Sequence, residues 1–313
     1  MLPLQKAKLV SQALQLGLLL EVSSKKPGNV NLSSGFKGTK FEHFLASAVA
    51  SIPFFETAAF RGISVLEGNL EVKNLGIGKI IQNCLEEINV WQKGGNTLLG
   101  AIILFVPIAA AAGMTQLEDV FDLLKLRANL KKVLQSTSPK DAVHLYEAFD
   151  AIKPSGLNNA PDFDLTSPES KNRILKENIP LYDVFKIAAD YDNVCSEWIS
   201  NYSISSDLAY PYLLEQLKTR DLNTAIIHTY LKVLSKHPDT LITRKVGLKL
   251  SQEISSDANY LLQLGGLDTK EGQQELIVFD NKLRKNGNNL NPGTTADLIA
   301  ATLGFYVLTG YRP

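Results

Sequence analysis

Between Gly94 and Leu117 the chain carries no charged residue, and Leu98 to Met114 is almost entirely apolar. A run of this kind has two homes, the middle of a protein core or the middle of a bilayer, which takes about 20 apolar residues in a helix. Pro107 in mid-run, the polar start Asn96-Thr97 and the small tract Ala109-Ala110-Ala111-Ala112-Gly113 favour the core, where small side chains let helices approach closely. No second charge-free segment accompanies it. The expectation is a buried central helix, kinked or restarted at Pro107.

The same period of 3.6 runs through most of the chain. Apolar residues at 9, 10, 13, 14, 16, 18 and 20 predict a largely buried first helix over Leu4–Val22. Thr39-Lys40-Phe41-Glu42 has the spacing of a capping box and opens a second helix. Further helices are predicted at about 76–91, 98–113, 117–126, 141–152, 180–202, 221–235, 239–264, 270–286 and 295–309, with long polar loops at 23–40 and 153–170. Alternating β-branched runs with hairpin turns are missing, as are repeats and linker-like composition shifts. The expected fold is all-α, one multi-helix bundle over residues 1–313.

Composition narrows the function classes. With 32 Lys+Arg against 32 Asp+Glu, the chain lacks the cationic excess of a general nucleic-acid binder. Cys84 and Cys195 are too few for a disulfide framework, and the four histidines show no zinc spacing. The start Met1-Leu2-Pro3-Leu4-Gln5-Lys6 does not read as a secretory leader, so a cytoplasmic, membrane-free protein is expected. This much apolar surface leaves a homodimer open.

An all-helical enzyme builds its site from helix ends and the loops between them. Lys25-Lys26-Pro27-Gly28 offers a cation beside turn amides, for phosphate or simply for water. Gly94-Gly95-Asn96-Thr97 precedes the apolar helix, where Asn96 or Thr97 serves as a cap or free amides hold an anion. Asp190 and Asp192 are two apart, about 200° around a helix, so at most one faces a ligand such as Mg²⁺ while the other anchors a neighbouring helix. Asp239 follows Pro238 as an N-cap, and Thr240, Thr243 and Arg244 share a face suited to phosphate. In Asn291-Pro292-Gly293-Thr294-Thr295-Ala296-Asp297, Thr294 reads as the cap and Asp297 as a carboxylate in a Gly-rich helix mouth.

Taken in order, "EV…KPGNV" (Glu21 to Val30), "FEHFLASA", "GGNT..GAI", "AADYD", "PDTLITRK" and "NPGTTADLIAATL" resemble the triphosphoribosyl-dephospho-CoA synthase family, the CitG/MdcB type. The resemblance spans Glu21 to about Leu308. It implies transfer of the triphosphoribosyl group of ATP to 3′-dephospho-CoA with release of adenine, and so ATP, Mg²⁺ and a CoA-like nucleotide acceptor. Catalytic or metal roles fall on Asp190, Asp192, Asp239 and Asp297, the metal on the last three. Nucleotide contacts fall on Lys26, Gly28, Asn96, Thr97, Arg244, Lys245, Gly293 and Thr294.

Departures accompany the resemblance. Leu98 and Thr243 stand where the bacterial synthases usually have histidines, and Tyr191 stands where arginine is common. Pro154-Ser155-Gly156-Leu157-Asn158 replaces a "PGGLG"-like loop, and the pattern is closer to the archaeal-type branch. Two alternatives stay open: an enzyme of the same fold with another acceptor, and a non-catalytic nucleotide-binding helical protein.

Overall fold

The computed structural model describes residues 2–116, 120–153 and 162–313. Among these there is no sheet; two isolated bridges, Asn31 with Ser34 and Phe36 with Thr39, tighten the loop after the first helix. The helices are α1 (Pro3–Ser23), α2 (Phe41–Leu66), α3 (Ile77–Trp91), α4 (Leu99–Met114), α5 (Leu123–Gln135), α6 (Pro139–Ile152), α7 (Ser170–Lys176) and α8 (Leu181–Ala188). They continue with α9 (Asn193–Ser200), α10 (Tyr210–Gln216), α11 (Leu222–Lys236), α12 (Thr240–Val246), α13 (Leu248–Gln263), α14 (Lys270–Arg284) and α15 (Gly293–Leu308). The fold is all-α, with one hydrophobic core running from α1 to α15.

The charge-free run is α4. Fourteen of its sixteen residues are buried, so it is covered on every side, by α1, α2, α3, α5, α9 and α15. It passes through Pro107 as one helix instead of restarting there. A second helix of the same kind was not expected: α15 buries thirteen of its sixteen residues beside it. Glycine permits the closest crossings. A Cβ on Gly113 would lie 2.0 Å from the Ala59 carbonyl oxygen of α2, and one on Gly17 of α1 would lie 2.8 Å from the Gly304 nitrogen of α15. At those separations backbone meets backbone, which only an absent side chain allows.

By length and composition, one helix among the described residues is able to cross a membrane, and it is α2, not α4. A search for charge-free runs passes over α2 because Glu42, Glu56 and Arg61 are spread along it. It packs along α1, α3 and α4 in this fold.

Several boundaries differ from the periodicity. The predicted helix at 180–202 is two, α8 and α9, separated by a turn that Asp192 closes by capping α9. The predicted helix at 239–264 breaks at Gly247, whose φ of +94° ends α12 and starts α13. Apolar spacing continues across both breaks, so periodicity alone cannot see them. The helix expected from residue 117 starts outside the described residues, and α5 begins after the Asp122 cap. Pro154 to Asn158 also lie outside them. Thr39 is not a cap: Lys40 precedes α2 with its amide on His43 Nδ1 (3.0 Å), while the Thr39 hydroxyl donates to the Gly94 carbonyl at 2.6 Å.

After α9 the chain reverses through two left-handed residues, Asn201 and Tyr202, into a π-helical turn at Ile204–Ala209. Buried Glu197 accepts the amides of Ile204 (2.7 Å) and Ser205 (3.0 Å) that open this turn. Burial pushes its carboxyl up to about 7 against those hydrogen bonds. A folded-state value raised above the ordinary one of 4.5 means extra stability below about pH 4.5, lost as pH rises through 7. The shift corresponds to about 3 kcal/mol. The Glu197→Gln variant lacks that titration. Its thermal stability relative to wild type is expected to improve by that order between pH 5 and 8; a gap that stays constant would rule out Glu197 as the source.

Candidate active site

Three helix starts and one helix end face a common space. The α4 start brings the Gly94–Gly100 segment, α9 brings Asp192, α15 brings Gly293 to Asp297, and the end of α12 brings Arg244 and Lys245. Between them lies a cavity of about 480 Å³, within the usual range for small-molecule sites.

Asp239 holds the frame without lining the cavity. Its Oδ1 accepts the amides of Leu241 (2.9 Å) and Ile242 (3.0 Å), capping α12, as its place after proline predicts. Its Oδ2 accepts the amide and hydroxyl of Thr295 at 2.7 and 2.8 Å, tying the first turn of α15 to α12. Thr294 is inside α15, not its cap, and its hydroxyl accepts from the Leu241 amide at 3.2 Å. One carboxylate thus sets the angle between two walls of the site.

The amides offered by these helix starts are largely taken. Asp192 Oδ1 accepts from Val194 (2.8 Å) and Cys195 (3.2 Å), and Asn96 Oδ1 accepts from Leu99 at 3.2 Å. The Ala101 amide donates to Asp297 Oδ1 at 3.0 Å. The charge available to an anion here lies on side-chain cations that line the cavity. Arg244 supplies one and is ion-paired to Asp192 Oδ2. Lys245 supplies another: burial lowers its ammonium pKa, and it donates to the Asn288 carbonyl at 2.7 Å.

Asp297 occupies the floor. Burial pushes its carboxyl well above the usual range, and the charge of nearby Glu21 adds to the push. Gly100 makes room for it, since a Cβ there would stand 2.1 Å from Asp297 Oδ2. Beyond the floor the wall turns apolar, with Leu145, Tyr146 and Phe149 from α6, Val184 and Phe185 from α8, and Val194 from α9. Thr97 lines the polar side and shares a 2.7 Å hydrogen bond with Ser47.

Eight of the twelve predicted site residues therefore line one cavity: Asn96, Thr97, Asp192, Arg244, Lys245, Gly293, Thr294 and Asp297. Four do not. Lys26 is 0% exposed, with its ammonium turned to Glu21 and to the carbonyls of Glu21 and Ser24. Gly28 has φ +70° and gives its amide to Asp280 Oδ1 at 2.7 Å. Asp190 is exposed in the turn before α9, and Asp239 is fully buried behind Thr294. The three aspartates expected to hold a metal do not fit that role together. Asp239 already accepts four hydrogen bonds and Asp192 is held by Arg244, and no group of three or more His, Cys, Asp or Glu among the described residues is placed to hold a metal ion.

Glu21, Asn29, Asn291 and the apolar wall were not singled out as site residues, although they line the cavity. Glu21 was within reach of the sequence, at the polar end of an apolar helix. The α6 and α8 residues were not, because their spacing is that of any core helix.

Comparison with known proteins gives the family. The family model described as CitG, ATP:dephospho-CoA triphosphoribosyl transferase, matches residues 7–312. A 2-(5″-triphosphoribosyl)-3′-dephosphocoenzyme-A synthase of Escherichia fergusonii is 24% identical over 307 residues, covering 96% of this chain and 90% of that one. A Malonomonas rubra protein assigned as the same synthase is 24% identical over 305 residues, 96% of this chain and 87% of its own. A crystal structure from Archaeoglobus fulgidus, assigned as a triphosphoribosyl-dephospho-CoA synthase, superposes with a TM-score of 0.64 at 26% identity, over 87% of this chain and all of that one. The chain belongs to the CitG family of triphosphoribosyl transferases and is an enzyme of the triphosphoribosyl-dephospho-CoA synthase kind.

Proposed function

We propose that this protein joins ATP to 3′-dephospho-CoA, with attack of an acceptor ribose hydroxyl on C1 of the ATP ribose and departure of adenine. The observation that carries the reading is the polarity of this cavity. Arg244 and Lys245 form a cationic end for the triphosphate, Asp297 sits at the floor, and an apolar wall suits a purine. Mg²⁺ enters this reading as the ion the triphosphate brings with it, held chiefly by phosphate oxygens. A cytoplasmic location belongs to the same proposal, since both substrates are small, soluble nucleotides. Incubation with ATP and 3′-dephospho-CoA is expected to release adenine and give the mass of the adduct; no adenine would overturn the reading.

Arg244→Ala should weaken ATP binding by about 10- to 100-fold, the loss of a charge-assisted contact of roughly 1.5–3 kcal/mol. The fold should survive, because the Arg244–Asp192 pair is partly exposed to the cavity. Calorimetry with ATP and Mg²⁺ checks this, and an unchanged affinity would take Arg244 out of the site.

A second reading, the same transfer to a different acceptor, has one observation in its favour. Of the positions departing from the family pattern, Leu98 (4% exposed) and Tyr191 (40% exposed) line the cavity, one deep and one at its edge. Thr243 does not line it; its hydroxyl donates to the Asp239 carbonyl at 3.0 Å. An acceptor panel scored by adenine release separates the two readings.

A further inference from the structure

A fully buried ion pair is expensive to keep, because desolvation of both charges offsets their attraction. Glu21 and Lys26 form such a pair, 3% and 0% exposed, with Nζ 2.9 Å from Glu21 Oε1. The pair is asymmetric. Lys26 is turned inward and is satisfied by the carbonyls of Glu21 and Ser24 as well as by the carboxylate, whereas Glu21 lines the cavity. Glu21 Oε1 has the Lys26 ammonium at 2.9 Å and no other hydrogen-bond partner. A buried carboxylate held by a single ammonium, lining a cavity that holds a second carboxyl group, suggests a proton acceptor.

We propose that Glu21 is a catalytic residue that takes the proton of the attacking hydroxyl, and that Lys26 is its positioning residue. This rests on the transfer reaction proposed above. The acceptor oxygen forms its bond to C1 of the ribose as the bond from C1 to the purine nitrogen breaks. The bonding pair leaves with the purine. The hydroxyl proton passes to Glu21, Asp297 gives its own proton to the departing base, and the two carboxyl groups then re-equilibrate, so adenine leaves neutral and no co-reactant is consumed. Two carboxyl groups in unlike environments, one beside a cation and one in an apolar floor, are the arrangement such a division needs. The charged and titratable groups that act on Glu21 are Lys26 from its own loop, Asp297 from α15 and Tyr230 from α11.

The test compares four proteins: wild type, Glu21→Gln, Lys26→Met and the double variant Glu21→Gln/Lys26→Met. Adenine release from ATP with 3′-dephospho-CoA is followed from pH 5 to 9, and ATP affinity is measured separately by calorimetry. Glu21→Gln is expected to lose roughly 10³-fold in kcat with ATP affinity within threefold, the scale of removing a general base. Lys26→Met is expected to lose rate at neutral pH with the acidic limb of the profile moved up by one pH unit or more, because the cation that favours the carboxylate is gone. If Glu21→Gln fails to fold with Lys26 left unpaired, the double variant, neutral at both positions, carries the same expected loss. Glu21→Gln or the double variant retaining more than a tenth of wild-type turnover, or an acidic limb unmoved in Lys26→Met, overturns the assignment. Absence of adenine release from wild type overturns the reaction itself, and this assignment with it.

Discussion

Asp239→Ala is expected to lower the melting temperature by roughly 6 °C, about 4 kcal/mol, without directly touching the chemistry. The carboxylate accepts four hydrogen bonds from two helix starts in the buried interior, and the Leu241 amide is shared with the Thr294 hydroxyl at 3.2 Å. Each buried amide left unpaired costs about 1–3 kcal/mol, and loss of an N-cap alone costs about 1. Asp239→Asn should recover part of the loss, since its oxygen can still cap α12 while its amide group meets the Thr295 N–H. Were Asp239 instead a metal ligand or a base, alanine would leave the melting temperature nearly unchanged and abolish turnover. Thermal melts beside adenine release distinguish these outcomes.

Asp297→Asn is expected to cost turnover as much as Glu21→Gln, a loss of about 10³-fold in kcat with ATP affinity within a few-fold. Asparagine preserves the shape and keeps an oxygen for the Ala101 amide, so the cavity should stay intact while the acid is lost. The wild-type rate should fall on the alkaline side as Asp297 gives up its proton, at a pH displaced upward because burial and the Glu21 charge hold that proton on. Stability should move the other way. A carboxyl whose folded-state pKa is raised contributes stability at low pH that is lost as pH rises through the folded value. Asp297→Asn should therefore match or exceed wild-type stability at alkaline pH. Turnover within tenfold of wild type would remove Asp297 from the reacting centre.

The residues that sequence reading found and those it missed differ for physical reasons. Arg244, Lys245, Asn96, Thr97, Gly293, Thr294, Asp192 and Asp297 sit where helical periodicity starts or stops, and a cavity made by helix ends gathers such positions. Lys26 belongs to the same class of signal yet serves from behind Glu21, because a cation next to a turn reads alike whether it faces ligand or carboxylate. Asp190 and Asp192 were assigned by helical angle, but a turn intervenes, and it leaves one aspartate in solvent and makes the other a cap.

The sequence by itself determined the all-α class, the burial of the Leu98–Met114 run and the family, because apolar period and ordered local motifs are properties of the chain. Only the tertiary structure decided that α15 is a second buried helix and that Asp239 clamps two helices. Only it showed that Glu21, with Lys26 behind it, opens on the same cavity as Asp297. Those facts depend on which ends of which helices meet: Glu21 and Asp297 line one cavity and Asp239 holds Thr295, across intervals far longer than any local pattern spans.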